Sequence, residues 1–313
     1  MSRGHIAVVI NAISGNGTAP KDAERLKAVF AEAGREGRIT LATGGSEINA
    51  AMRRAVEAGC ESLVAGGGDG TINSGASAVL GRGIPLGVLP LGTLNHFAKD
   101  LGIPLDLDEA AKVVLEGVVC KVDVGEVNGR IFLNNSSLGV YPAIVRLRER
   151  YRATLGGKWI AALWAGLTVL RRSPFMAVRI TADGEAIIRR TPLALVGNNE
   201  YQMAGIQAGS RESLARGRLA LYVLNAERRP GLLWLGWQIL LKGAEGVKEV
   251  DLITVEDATV ETRRRRLQVA IDGEVFTLES PLRYRIRPGA LRVHVSGAAS
   301  ACYPHPSGTS STR

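Results

Sequence analysis

Residues Ser62-Leu63-Val64-Ala65-Gly66-Gly67-Gly68-Asp69-Gly70-Thr71 carry an apolar strand into a run of glycines, and the chain continues as a helix to Leu80. Glycine lets the backbone approach a phosphate closely, and the open N–H groups at a helix start attract anions. A carboxylate in such a loop repels phosphate unless a cation stands between them. Asp69 is therefore a candidate Mg²⁺ ligand, direct or through water. The plainer reading is a tight turn with Asp69 as a helix cap.

Outward from this loop, apolar runs alternate with helical stretches. Strands are expected at His5 to Ile10, Arg38 to Ala42, Ser62 to Ala65 and Leu86 to Leu89. Helices are expected at Pro20 to Ala33, Glu47 to Ala58 and Thr71 to Leu80. That alternation predicts an α/β domain with a parallel sheet, whose ligands gather at the carboxyl ends of the strands. Two further loops fall at such ends: Asn11 to Gly17, with Asn11, Ser14 and Gly15, and Leu91 to Asn95, with Gly92, Thr93 and Asn95. One nucleotide could touch all three.

From about Val119 the pattern turns to strands joined by Asn128-Gly129, Asp183-Gly184 and Asp272-Gly273, pairs that supply the positive φ of two-residue hairpins. The second half thus reads as a mostly antiparallel, β-sandwich-like C-terminal domain. The expected division is a nucleotide-binding domain over 1–127, a β-rich domain over 128–295 and a flexible tail over 296–313. Helical inserts at about Gly156 to Arg172 and Gly231 to Lys242 hold all four tryptophans, Trp159, Trp164, Trp234 and Trp237. Arg171, Arg172, Arg228 and Arg229 lie close to them in sequence, so the inserts are either membrane-interface elements or core helices.

Charge separates the halves. Residues 1–127 carry 12 Lys and Arg against 15 Asp and Glu, a net −3, and the remainder carries 27 against 15, a net +12. A basic second half suits an anionic membrane surface, while the first half, with its phosphate loops, has no excess charge to offer nucleic acid. The Arg263 to Arg266 run could equally be a solvated turn. Four scattered histidines show neither metal-ligand spacing nor a Ser-His-Asp nucleophile, so hydrolase readings gain nothing from them. Three distant cysteines argue against a disulfide framework and for a cytoplasmic protein. No apolar run reaches the ~20 residues that span a bilayer.

Gly66 to Thr71 resembles the GGGDGT signature of the diacylglycerol kinase catalytic-domain family, which includes sphingosine and ceramide kinases and bacterial lipid kinases. Four more segments follow in the family's order. Asn11 to Gly15 resembles its NPxSG loop, Gly92 to Asn95 with Phe97-Ala98-Lys99 its GTxN(D)FAR segment, Val122 to Gly125 its D-x-G element, and Val269 to Glu274 its DGE motif. The resemblance spans roughly residues 5 to 295 and implies an ATP- and Mg²⁺-dependent kinase acting on a lipid hydroxyl, with the nucleotide in a cleft between the two domains. By position, Asp69 would join the Mg²⁺ and phosphate network, Asp123 would support the metal, and Asp272 would be the general base. Asn11, Ser14, Gly15, Gly66, Gly67, Gly68, Gly70, Thr71, Gly92, Thr93, Asn95 and Glu274 would line the nucleotide. Read without the resemblance, Asp272-Gly273 is simply a hairpin turn.

The chain also departs from that pattern. Ala12 replaces the loop proline, and His96 stands where many members carry aspartate. Ala215 and Arg216 replace two acids that hold a structural Mg²⁺ in some bacterial members, so that accessory site is expected to be absent. Two other readings stay open: a kinase like the NAD kinases, suggested by Gly197-Asn198-Asn199-Glu200, and a non-catalytic module that binds nucleotide or anionic lipid. The lipid acceptor and the oligomeric state, a homodimer included, are not legible in the sequence.

Overall fold

The computed structural model describes residues 4–14, 18–139, 175–182, 184–202, 210–224 and 250–297. Gly15, Asp183, the two tryptophan-bearing inserts and the tail from 298 lie outside the described residues. The chain forms two compact units: Met1–Asp123 with Glu212–Gly217 and Pro288–Arg313, and Val124–Arg211 with Arg218–Arg287.

The first unit alternates as its apolar spacing requires: β1 (Ile6–Asn11), α1 (Ala19–Glu32), β2 (Gly37–Ala42), α2 (Gly45–Glu57), β3 (Ser62–Gly67), α3 (Asp69–Val79), β4 (Leu86–Pro90), α4 (His96–Asp100) and α5 (Leu107–Glu116), leading into β5 (Val118–Val127). The strands run in the order β2-β1-β3-β4, all parallel. The inner strands β1, β3 and β4 are nearly continuous apolar runs because helices cover the sheet: Leu26 and Phe30 of α1, Ile48 and Met52 of α2, and Ala110 and Ala111 of α5 are all buried. The edge strand β2 instead alternates, with Arg38 and Thr40. Two helices not foreseen from the sequence follow β4. Of these, α5 is started by Asp106, whose carboxylate accepts from the N–H groups of Asp108 and Glu109.

The second unit is built of antiparallel pairs, and its last strand runs on into the first unit, where Val293 pairs in parallel with Leu86. It comprises β6 (Arg130–Phe132), β7 (Asn135–Gly139), β8 (Met176–Ala182), β9 (Glu185–Thr191), β10 (Leu193–Asn198), β11 (Leu219–Leu224), β12 (Val250–Val255), β13 (Asp257–Thr262), β14 (Arg266–Ile271), β15 (Glu274–Glu279) and β16 (Leu282–Val295). One sheet runs β12-β11-β10-β7-β14-β15. In the other, β16, β13, β8 and β9 are neighbours in that order, and β5 pairs with both β16 and β6. A single core lies between the sheets, with Leu138, Val196, Leu221 and Val269 from one and Val178, Ile180, Val260 and Tyr284 from the other. The expected hairpins form: Asn128-Gly129 has φ of 45° and 80°, and Asp272-Gly273 has 45° and 86°.

One sequence expectation is corrected at the cysteines. Cys60 is a buried free thiol, but Cys120 on β5 is disulfide-bonded; distance along the chain says nothing about distance in the fold. No helix among the described residues is long and apolar enough to cross a membrane.

Candidate functional site

In the first unit the three predicted loops meet at the carboxyl ends of β1, β3 and β4. The register places Ile10 beside Gly66 and Gly67 beside Pro90, so the strands end level and their loops emerge side by side. The Asn11 amide donates to the Thr71 hydroxyl at 3.4 Å, and its Oδ1 accepts from the Ile13 N–H at 3.1 Å. Asp69, at the first position of α3, accepts from the backbone N–H groups of His96 and Phe97 at 3.3 and 3.2 Å. Asp69 thus caps α4 across the loops rather than its own helix.

Backbone contact completes the junction. A Cβ on Gly92 would lie 2.4 Å from the Gly68 Cα and 2.7 Å from the Asn95 Oδ1, so only glycine lets these loops touch. Asn95 is buried in the left-handed conformation at φ 50°; it accepts from the Gly92 N–H and donates to the carbonyls of Pro90 and Gly92. Thr93 is exposed and Ser14 and Gly70 are partly exposed, which leaves polar groups facing solvent around a close-packed glycine floor.

A second polar cluster lies in the second unit around Asp272. The Asp272 carboxylate accepts three backbone N–H groups, from Leu133 at 2.7 Å, Asn134 at 2.8 Å and Asn135 at 3.0 Å. The carbonyl of Leu133 in turn accepts from Arg211 at 2.6 Å and Asn198 at 2.9 Å. The Arg211 guanidinium, only 5% exposed, also bonds the Asn198 carbonyl and the Asn134 side chain, and it lies 5.5 Å from the Tyr201 ring centre. The Tyr222 hydroxyl accepts from the Tyr201 N–H at 2.8 Å, and burial pushes its pKa up to about 12. Glu274 is exposed beyond the turn, paired in register with Ile271.

The structure therefore gathers Asn11, Gly66, Gly67, Gly68, Asp69, Thr71, Gly92 and Asn95 in the first unit, with Asp272 and Glu274 in the second. Asp123 is fully buried, and its two carboxylate oxygens accept from the N–H groups of Gly217 and Gly289 at 2.7 and 2.9 Å. It fastens the 212–217 loop and the 288–295 end of β16 within the first unit. Among the described residues, no three His, Cys, Asp or Glu side chains stand together as a metal-holding group. The sequence reading missed Arg211, Asn134 and Asn135. The one available signal was the polar run Asn134-Asn135-Ser136-Ser137 directly after the apolar Ile131 to Leu133.

Glycine loops on a parallel α/β sheet, joined in one chain to an antiparallel sandwich, define a two-domain nucleotide-handling protein of the kinase type. The model of the diacylglycerol kinase catalytic domain matches residues 5–127, and that of the YegS C-terminal NAD kinase beta sandwich-like domain matches residues 138–295. The chain belongs to the diacylglycerol kinase catalytic-domain family, in the branch with the YegS C-terminal domain. A Pseudomonas aeruginosa PAO1 protein named "Probable lipid kinase YegS-like" is 34% identical over 280 residues, covering 84% of this chain and 86% of its own length. The Mycobacterium tuberculosis protein named "Diacylglycerol kinase" is 28% identical over 300 residues, covering 93% and 94%. Among solved structures, a chain from Bacillus anthracis described as a diacylglycerol kinase shares the fold with a TM-score of 0.69 at 20% identity, covering 96% of this chain and 99% of that one. A second Bacillus anthracis chain reaches a TM-score of 0.75 at 24% identity with the same coverage.

Proposed function

We propose that this chain transfers the γ-phosphoryl group of Mg-ATP to the hydroxyl of a diacylglycerol-like or sphingoid lipid, working at the cytoplasmic membrane surface. The observation that carries this reading is the bonding of three phosphate-type loops at the ends of adjacent parallel strands, with glycine required where they touch. Residues 1–127 would bind nucleotide, and residues 128–295 would present the lipid.

The donor set fits the group. Phosphates would be held by Asn11, Ser14 and Gly15 from the first loop, Gly66, Gly67, Gly68, Gly70 and Thr71 from the second, and Gly92, Thr93 and Asn95 from the third. A phosphate-bound Mg²⁺ needs only one or two protein carboxylates, and Asp69, partly exposed at the loop junction, would supply one. Bound Mg²⁺ would neutralise the charge spread over the phosphate oxygens. The attacking lipid hydroxyl must lose its proton, and Asp272 would accept it. The three amides that grip this carboxylate fix its direction, and positioning an acceptor is most of what such a base does in phosphoryl transfer.

The purified protein, given Mg²⁺, labelled ATP and a panel of diacylglycerol, monoacylglycerol, sphingosine and ceramide in mixed micelles, is expected to label at least one lipid. Asp272→Asn should lower kcat by roughly 10² or more while ATP binding is retained. Labelling of NAD in place of every lipid would shift the assignment to an NAD kinase-like enzyme. Against that outcome, Asn198 and Asn199 are buried and bonded inside the sandwich.

A further inference from the structure

Four consecutive exposed arginines, Arg263 to Arg266, occupy the turn from β13 to β14. Arg266 has Glu279 at 3.9 Å, but Arg263, Arg264 and Arg265 make no ion pair among the described residues. The turn is built rather than loose: the Thr262 hydroxyl donates to the Arg264 carbonyl at 3.1 Å and accepts from the Arg264 N–H at 3.2 Å. Beside it lies a groove of 420 Å³ lined by Phe175, Met176, Ala177, Arg190, Arg263 and Arg264. The Arg190 guanidinium lies 5.6 Å from the Phe175 ring centre, so its charge is presented over an apolar floor. Glu261, the acid of β13 next to the turn, is registered opposite Arg179 rather than Arg190.

The same face holds an unusual apolar residue. Ile188, two positions before Arg190 on β9, is 71% exposed, and the two-residue period of a strand puts both on the outer side of the sheet. Strand β9 ends its sheet, so no further described strand flanks it. Guanidiniums with no ion pair among the described residues, set around an apolar groove with an isoleucine standing out beside them, match the layered chemistry of a bilayer surface. Arginine meets lipid phosphates while the aliphatic side chain enters the acyl boundary. A nucleic acid would satisfy the arginines but gives no use to Ile188 or to the Phe175 floor.

We propose that the outer face of β8 and β9 with the β13–β14 turn is a docking surface for an anionic bilayer, held by Arg190, Arg263 and Arg264 with Ile188 inserted. This deepens the lipid-kinase reading and rests on it for the identity of the anionic partner. The test uses the full chain without nucleotide, sedimented with vesicles of phosphatidylcholine alone and of phosphatidylcholine containing phosphatidylglycerol at about one third of the lipid. At roughly fivefold in partition per basic residue, the triple variant R190Q/R263Q/R264Q should bind the anionic vesicles about 100-fold more weakly than the parent. Ile188→Asn should weaken binding several-fold with little change in its salt dependence. The triple variant should keep the parent's melting temperature and its activity on micelle-dispersed lipid. Equal binding to both vesicle types, or a triple variant that binds as the parent does, overturns the proposal. So does duplex DNA that displaces the parent from anionic vesicles but leaves the triple variant's residual binding untouched, since the surface would then be a nucleic-acid site. Anion-dependent binding with no lipid phosphorylated sustains the docking surface and defeats the kinase reading; the converse result does the reverse.

Discussion

The loop junction of the first unit and the Asp272 cluster of the second are both polar, but they are stabilised in opposite ways. At the junction the contacts are mostly backbone to backbone or side chain to backbone, both within the loops and across them, and partly open to water. Around Asp272, side chains from the 133–135 segment, β10, Tyr201, Arg211 and the β14–β15 turn interlock, largely out of water. The first arrangement leaves Thr93 exposed and Ser14 and Gly70 partly exposed, as a phosphate site requires. The second uses its hydrogen bonds internally, as a rigid mount for one carboxylate requires. The lesson is that a phosphate-binding surface can be made from conformation alone, whereas a fixed carboxylate needs a buried polar scaffold behind it.

That contrast can be broken by substitution, and the largest effect should come at the junction. Asp69→Asn keeps the shape of the side chain but removes the charge and one acceptor of the α4 amides; kcat for lipid phosphorylation should fall roughly 10³-fold, equivalent to about 4 kcal/mol of barrier. Because the carboxylate is partly exposed, urea midpoints should move little. Next in size is Arg211→Ala, which takes one donor away from each of three acceptors, the carbonyls of Leu133 and Asn198 and the Asn134 side chain. A loss of about 3 kcal/mol in unfolding free energy is expected, with activity reduced through the mounting of Asp272. Wild-type stability in this variant would show that the cluster is not a rigid mount. Gly92→Ala should follow, at about 2 kcal/mol, because its Cβ would meet backbone that can yield only by separating the loops. Retained stability with full nucleotide affinity in Gly92→Ala would mean the loops need not touch.

How much of this was legible follows from the same contrast. The strands β1, β3 and β4 stood out because a parallel sheet covered on both faces imposes continuous apolar runs, and the Gly66 to Thr71 loop because close backbone approach permits few residue types. The two-residue turns were equally plain, since Asn128 and Asp272 are followed by glycine at positions of positive φ. That Asp69 would cap α4 instead of α3 was not legible, because its partners at His96 and Phe97 lie 27 and 28 residues away. Nor was the role of Arg211: an arginine in a polar stretch reads as surface until the acceptors at Leu133 and Asn134 are brought to it by strand pairing. For Asp123 the motif position was legible, but the amides of Gly217 and Gly289 that its carboxylate accepts lie 94 and 166 residues away, which no local spacing could announce.

The smallest predicted effect concerns a polar pair buried in the first unit, far simpler than the Asp272 cluster. His294 of β16 is buried with Nε2 at 3.1 Å from the Ser62 hydroxyl, and its Nδ1 has no partner. Burial pushes its pKa below the usual 6.5; nearby Glu61 works against that shift, and Arg35, itself paired to Glu61, adds to it. The folded protein thus holds the ring neutral at a pH where the unfolded chain has begun to bind a proton. Below the ordinary pKa the unfolded state binds more protons, so stability falls as pH falls; above it both states are neutral and the residue contributes no pH dependence. His294→Gln can still bond Ser62 but cannot titrate. Between about pH 7.5 and about pH 5.5 the parent should lose roughly 2 °C more in melting temperature than this variant. Parallel melting curves for the two would mean that a lone buried histidine is tolerated in either charge state, and that a polar group in this core needs no network around it.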